Sequence, residues 1–165
     1  MNSKYILRTA IILSIVIVNV GCDQVSKKIV REKVSQNEII RMLGNHLTVT
    51  NVENSGAFLS LGNSLPQAVK NILLSLLPAV VILMALYYAI MKTYIAPLLL
   101  AGLSFIVGGG IGNIYDRIAY GSVTDFLQIN AVGFHTGIFN MADVSIMTGF
   151  LIIVLNSILR RKLPV

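Results

Sequence analysis

The sequence predicts an all-α integral membrane protein: four transmembrane helices, a small extracytoplasmic platform containing β structure, and a short interfacial helix. Two observations predict this class. The 165-residue chain is 55% hydrophobic and 12% charged, far from the balance of a soluble domain. Its apolar residues also gather into four runs, and the length fits one membrane domain over 1–165.

The first run lies between Arg8 and Asp23, with 14 uncharged residues, and the second between Lys70 and Lys92, with 21. The third, between Lys92 and Asp116, has 23, and the fourth, between Asp143 and Arg160, has 16. A helix needs about 20 apolar residues to cross the hydrocarbon core. The middle two runs satisfy this outright. The outer two require Arg8 and Arg160 to snorkel or their acids to sit at the rim. The predicted spans are about 5–22, 70–91, 94–113 and 142–159, with an extracytoplasmic segment at about 23–69. Pro78 and Pro97 fall inside spans, where membrane helices tolerate them.

Charge sets the expected orientation. Lys4, Arg8, Lys92, Arg160, Arg161 and Lys162 lie on one side without an acid, while the other side carries all seven acids and seven bases. The net +6 therefore belongs to one face, which the positive-inside rule makes cytoplasmic, together with both termini. This topology accounts for the basic pI without a nucleic-acid partner. Lys4, Arg8 and the run ending in Val20-Gly21-Cys22 have the outline of a cleavable lipoprotein leader. Asn19 stands where such a leader wants an aliphatic residue, so the first helix is expected to be retained.

One cysteine, Cys22, rules out an internal disulfide, and His46 and His135 stand in no metal-ligand spacing. No metal site and no cofactor are expected. After the first span, Val25, Ile29, Val30 and Val34 alternate with Lys27, Lys28, Arg31 and Lys33 in the pattern of an amphipathic interfacial helix or of a solvated continuation of the first span. Asp23 and Lys27 are four apart and share a helical face, as an ion pair or as part of a site. Leu47 to Val52 alternates as a strand, and Asn54 then either caps the turn at Gly56 or orients a peptide. From roughly Asn71 to Met91 the second span carries no charged residue and reads as scaffold. Gly108, Gly109, Gly110 and Gly112 end the third span and suit close helix packing, followed by Asn113 and by Asp116-Arg117, read as an ion pair or rim contacts. Asn130 to Thr136 reads as a loop without a motif.

The chemistry concentrates in Asp125 and Asp143, 18 residues apart at the predicted outer boundary of the last span. A carboxylate beside a bilayer is costly and so has a partner or a task. Two neighbouring carboxylates cannot both ionise cheaply and share a proton. One can then take a proton from water while the other protonates an amide carbonyl. The alternatives are structural: Asp143 capping its helix through first-turn amides, and Asp125 in a turn. Serine chemistry at Ser26 is weaker, because adjacent Ser26 and Lys27 do not face each other on a helix. A proton-coupled transporter would hold its acid in mid-span, whereas every acid here lies at or beyond an outer helix end.

Five motifs occur in order among the spans: DQVSK at 23–27, NSGAF at 54–58, GNIYDR at 112–117, VTDF at 123–126 and FNMAD at 139–143. Together they resemble the lipoprotein signal peptidase (signal peptidase II) family of bacterial aspartyl peptidases, over essentially the whole chain. The resemblance implies that Asp125 and Asp143 are the catalytic aspartates. It implies supporting roles for Asp23, Lys27, Asn54, Gly56, Asn113, Arg117 and Asn140, and for Asp116 in the same motif as Asn113 and Arg117. It further implies a multi-pass protein of the bacterial cytoplasmic membrane, active near the outer face, that cleaves diacylglyceryl-modified prolipoproteins N-terminal to the lipidated cysteine. Its implied partners are those substrates and membrane lipids, with no nucleic acid, and the functional unit is a monomer.

Overall fold

The computed structural model describes residues 3–56, 64–92, 94–131 and 133–162. Ala57 and Phe58 of the NSGAF motif lie outside the described residues, as do the side chains of Arg161 and Lys162. Four long helices and a four-stranded antiparallel sheet make up the fold, in the order α1 (Ser3–Lys33), β1 (Ile39–Met42), β2 (Leu47–Asn54), α2 (Gln67–Met91), α3 (Pro97–Tyr120), β3 (Val123–Ala131), β4 (Phe134–His135) and α4 (Met141–Lys162). The first, second and fourth apolar runs each lie within one helix, the third does so from Pro97 onward, and all four helices are long and apolar enough to cross a membrane. Their outward faces are largely exposed Ile, Leu, Val, Met and Tyr, as expected where lipid is the solvent.

Of the two arrangements expected after the first span, a short interfacial helix and a continuation of the span, the structure has the continuation: α1 runs unbroken for 31 residues. At about 1.5 Å per residue that is about 46 Å, against a hydrocarbon core of about 30 Å, so the distal third has length to spare beyond a bilayer. No Gly or Pro interrupts residues 23–33, and of the apolar positions Val25, Ile29, Val30 and Val34 the first two stay exposed while the last two have a partner other than lipid. Val30 and Val34 are buried against Phe126, with Val49, Leu127 and Met141 around them. The amphipathic stripe docks the sheet onto the end of α1.

α3 is the centre of the bundle because its glycines remove side chains where neighbours come closest. A Cβ at Gly108 would meet Asn19 of α1 at 2.7 Å, one at Gly109 the Ala142 carbonyl of α4 at 2.3 Å, and one at Gly110 Ile82 of α2 at 2.1 Å. Successive residues turn by about 100°, so three consecutive glycines face three different helices. Gly109→Ala is expected to lower stability by about 1–3 kcal/mol through overpacking, since the obstructing atom is backbone. Thermal unfolding in detergent measures this, and an unchanged midpoint contradicts the close contact.

α2 is not uniform scaffold. Pro78 has no N–H to donate to the preceding turn, and just before it the helix widens into a π-helical turn over Asn71–Leu76. Arg8, expected to snorkel, reaches the other end of α2, where its Nη2 donates to the Ala89 carbonyl at 2.7 Å.

The sheet order is β1-β2-β3-β4. The strand predicted at Leu47–Val52 is β2, extended to Asn54. β3 and β4 were not legible as strands, and the expected loop at Asn130–Thr136 contains their pairing, Asn130↔His135 and Ala131↔Phe134. The β2–β3 register advances three residues on β2 and two on β3 between the pairs Val49↔Leu127 and Val52↔Asp125. At the same level the amides of both Phe126 and Leu127 donate to the Phe139 carbonyl, at 3.0 and 2.8 Å. This bulge turns two successive apolar residues toward α1 and leaves Asp125 and Gln128 lining the opposite side.

Candidate active site

Asp125 and Asp143 meet at the junction of sheet and bundle. α3 ends at Gly121, whose φ of 80° gives the left-handed cap that reverses the chain into β3. Four residues later Asp125 is 5% exposed. Asp143 stands in the first turn of α4, and its Oδ2 accepts the main-chain N–H of Asn140 at 3.1 Å. Both carboxylates line one cavity of about 230 Å³, whose walls include Asn54, Asn113, Arg117 and Asn140.

Three asparagines determine how the carboxylates are held. The Asn54 carbonyl accepts the Gly56 N–H at 3.0 Å, so its amide points the other way and donates to Asp125 Oδ2 at 2.9 Å. The Asn140 carbonyl accepts the Asp143 N–H at 3.0 Å, and its amide donates to Asp125 Oδ1 at 2.6 Å. The Asn113 carbonyl accepts Lys27 Nζ at 2.9 Å, and its amide donates to Asp143 Oδ1 at 2.9 Å. In each case a fixed donor occupies the carbonyl end and forces the NH₂ toward an aspartate. Of the two roles its sequence context allowed, Asn54 closes the turn at Gly56, and its amide holds Asp125.

Behind this layer lies a buried ionic cluster. Lys27 is fully buried, with Nζ 2.8 Å from Asp23 and 3.0 Å from Asp116, both also fully buried. Asp23 accepts the Ala142 N–H at 2.8 Å, which ties α1 to the residue before Asp143. Gly112 makes room, since a Cβ there would come within 2.5 Å of the Asp23 carboxylate. Asp116 and Arg117 do not pair with each other. Asp116 faces Lys27 and Arg31, the latter at 3.0 Å. Arg117 points to the opposite side of α3, where Nη2 donates to the Gly56 carbonyl at 3.0 Å. Adjacent helical residues diverge by about 100°, so their charges served different neighbours.

Of the residues singled out in sequence, Asp125, Asp143, Asn54, Asn113, Arg117 and Asn140 line the cavity. Asp23, Lys27 and Asp116 support it from behind, and Gly56 fixes Asn54 and Arg117 through its backbone. Ser26 donates to the Asp23 main-chain carbonyl of its own helix. Sequence reasoning missed Leu74, Pro78, Val123 and Ile138 on the cavity wall. It also missed Gln24, whose amide reaches Asp23 and Asp116 at 3.0 and 3.1 Å. Arg31 was readable in principle, being one helical turn from Lys27 on the same face. The apolar wall residues carry no such signal.

Burial pushes the Asp125 carboxyl up to about 6, helped by the charge of Asp143 and opposed by the Asn54 and Asn140 amides and by Lys27. The folded protein therefore binds this proton more tightly than an unfolded aspartate near 3.8. The resulting stabilisation is complete below about pH 4 and is lost as pH rises through about 6, an effect of about 3 kcal/mol. The stability of Asp125→Asn relative to wild type is expected to rise over this interval, because pH-independent costs of the substitution cancel. A flat difference between about pH 4 and pH 7 contradicts the shift.

Four membrane-length helices with a carboxylate pair, Asp125 buried and Asp143 half-buried, lining a cavity at one end define a multi-pass membrane protein whose site is suited to acid–base chemistry. The signal peptidase II (SPase II) family profile matches residues 15–159. A lipoprotein signal peptidase of Wigglesworthia glossinidia brevipalpis is 40% identical over 111 residues, covering 67% of this chain and 70% of its own. One from Treponema pallidum is 30% identical, covering 85% and 78%. A solved bacterial membrane enzyme shares the fold, with a TM-score of 0.82 and 24% identity over 93% of this chain and 90% of its own. The chain belongs to the signal peptidase II family and is a bacterial membrane protease.

Proposed function

We propose that the protein removes signal peptides from diacylglyceryl-modified prolipoproteins, cutting N-terminal to the lipidated cysteine with Asp125 and Asp143 as the catalytic pair. The observation that carries this reading is the set of three anchored asparagines. Their fixed amides supply donors to both carboxylates, so little reorganisation is needed as charge moves during reaction. In the reactive form the pair holds one proton, assigned to Asp125, the carboxyl that burial pushes up. Asp143 takes a proton from water as that water attacks the scissile carbonyl. Asp125 gives its proton to the carbonyl oxygen. As the C–N bond then breaks, Asp143 passes its proton to the departing amine and Asp125 takes one back from the gem-diol hydroxyl, so the pair again holds one. Asp23, Lys27 and Asp116 hold α1, α3 and α4 in register, and Asn113 carries that order to Asp143.

The cavity lies where α4 begins and α3 ends, at the end of the bundle opposite Arg8 and Lys92. With the basic end cytoplasmic, the site opens near the outer face, where a signal-peptide helix leaves the bilayer and water is available. The chain acts as a monomer within the lipid. Purified protein in lipid nanodiscs is expected to cleave a lipidated precursor and to leave the same precursor unmodified. Equal rates on both would remove the lipid from the substrate definition.

A further inference from the structure

Next to the aspartate cavity the sheet carries a second concavity of about 580 Å³, and Ile138 lines both. Thr48 and Thr50 of β2 and Gln128 of β3 form its floor, on the side opposite the apolar cluster that docks the sheet to α1. Its polar rim comes from Asn37, Asn45 and Asn130, and Arg41 is the one charged side chain lining it. Arg41 is exposed on β1, opposite Thr48, and makes no ion pair among the described residues. From Val52, beside the dyad, to Thr48 the strand spans about 13 Å at about 3.3 Å per residue, the reach of about four extended residues.

We propose that this groove receives the first residues of the substrate's mature segment, on the carboxyl side of the cleaved bond, and that Arg41 makes it prefer acidic over basic side chains there. The inference rests on the proposed peptidase reading. A substrate whose cut bond lies at the dyad must continue away from the membrane, and the groove is the surface continuous with the dyad cavity. Amide side chains of the rim suit an extended backbone, which offers N–H and C=O groups regardless of sequence. The guanidinium adds charge selection, in the size range of an exposed ion pair and screened by salt.

The test uses the full-length protein and three lipidated precursors that differ only in residues two to four after the cysteine: aspartates, serines or lysines. For wild type, kcat/KM is expected to favour the aspartate over the lysine precursor by about fivefold, falling toward unity near 1 M salt. Arg41→Glu is expected to reverse the order and Arg41→Gln to abolish the preference, each read as the ratio of aspartate to lysine precursor within that variant. Arg41 is exposed, so neither change threatens the fold. If wild type cleaves all three and the aspartate-to-lysine ratio is the same within twofold in Arg41→Glu, the groove assignment is wrong while the peptidase reading stands. If folded wild type cleaves none of them, the peptidase reading fails and this inference fails with it.

Discussion

Asp125→Asn and Asp143→Asn are each expected to lower prolipoprotein cleavage by at least about a thousandfold, because members of one catalytic unit fail together. Every oxygen of the pair has a donor aimed at it: two side-chain amides on Asp125, and an amide and a main-chain N–H on Asp143. An asparagine at either position cannot relay a proton. At position 125 it also sets one NH₂ against the NH₂ of Asn54 or Asn140, and neither can turn round without abandoning the donor on its carbonyl. The volume is unchanged, so both variants should fold and bind precursor, and the loss should appear in kcat with KM little altered. Steady-state cleavage in detergent, with a thermal melt as a check on folding, measures both quantities.

The second large effect concerns stability. Lys27→Met is expected to cost about 3–5 kcal/mol, the range for removing one partner of a buried ion pair. It would lower the melting midpoint by roughly 10 °C or more. Two fully buried carboxylates depend on this ammonium, and Asp116 alone retains a second cation in Arg31. Asp23 would be left with Gln24 and the Ala142 N–H. The double variant Lys27→Met/Asp23→Asn should therefore recover much of the loss, since it removes the orphaned charge rather than stranding it. A single variant that melts with wild type would show the cluster to be dispensable.

Much of this architecture is legible without coordinates, for physical reasons. Twenty-residue apolar runs have few alternatives to membrane helices, and β2 alternates cleanly. Asp125 and Asp143 stand out because acids beside apolar spans are rare. Other features depend on tertiary partners that a linear pattern does not name. Val30 and Val34 look membrane-facing until Phe126 is known to lie over them. β3 hides because residues 123–126 are all buried and the bulge then turns Leu127 to the same side as Phe126, which removes the alternation that would have announced a strand. Asp116 and Arg117 look like a pair because they are neighbours in sequence, yet the helix sends one toward Lys27 and the other toward Gly56. Leu74 and Pro78 reach the cavity wall from a helix with no polar signature at all.

The central claim is that the two aspartates act as one unit on a scissile peptide bond. Its most direct test is single-turnover cleavage of a lipidated precursor by saturating wild type, Asp125→Asn, Asp143→Asn and the double variant, each shown to be folded. The account predicts that wild type releases the signal peptide and that all three variants fall to the same residual rate, the double no slower than either single. A single variant that keeps a near-wild-type rate, or a double variant slowed by the product of the two single effects, would contradict it.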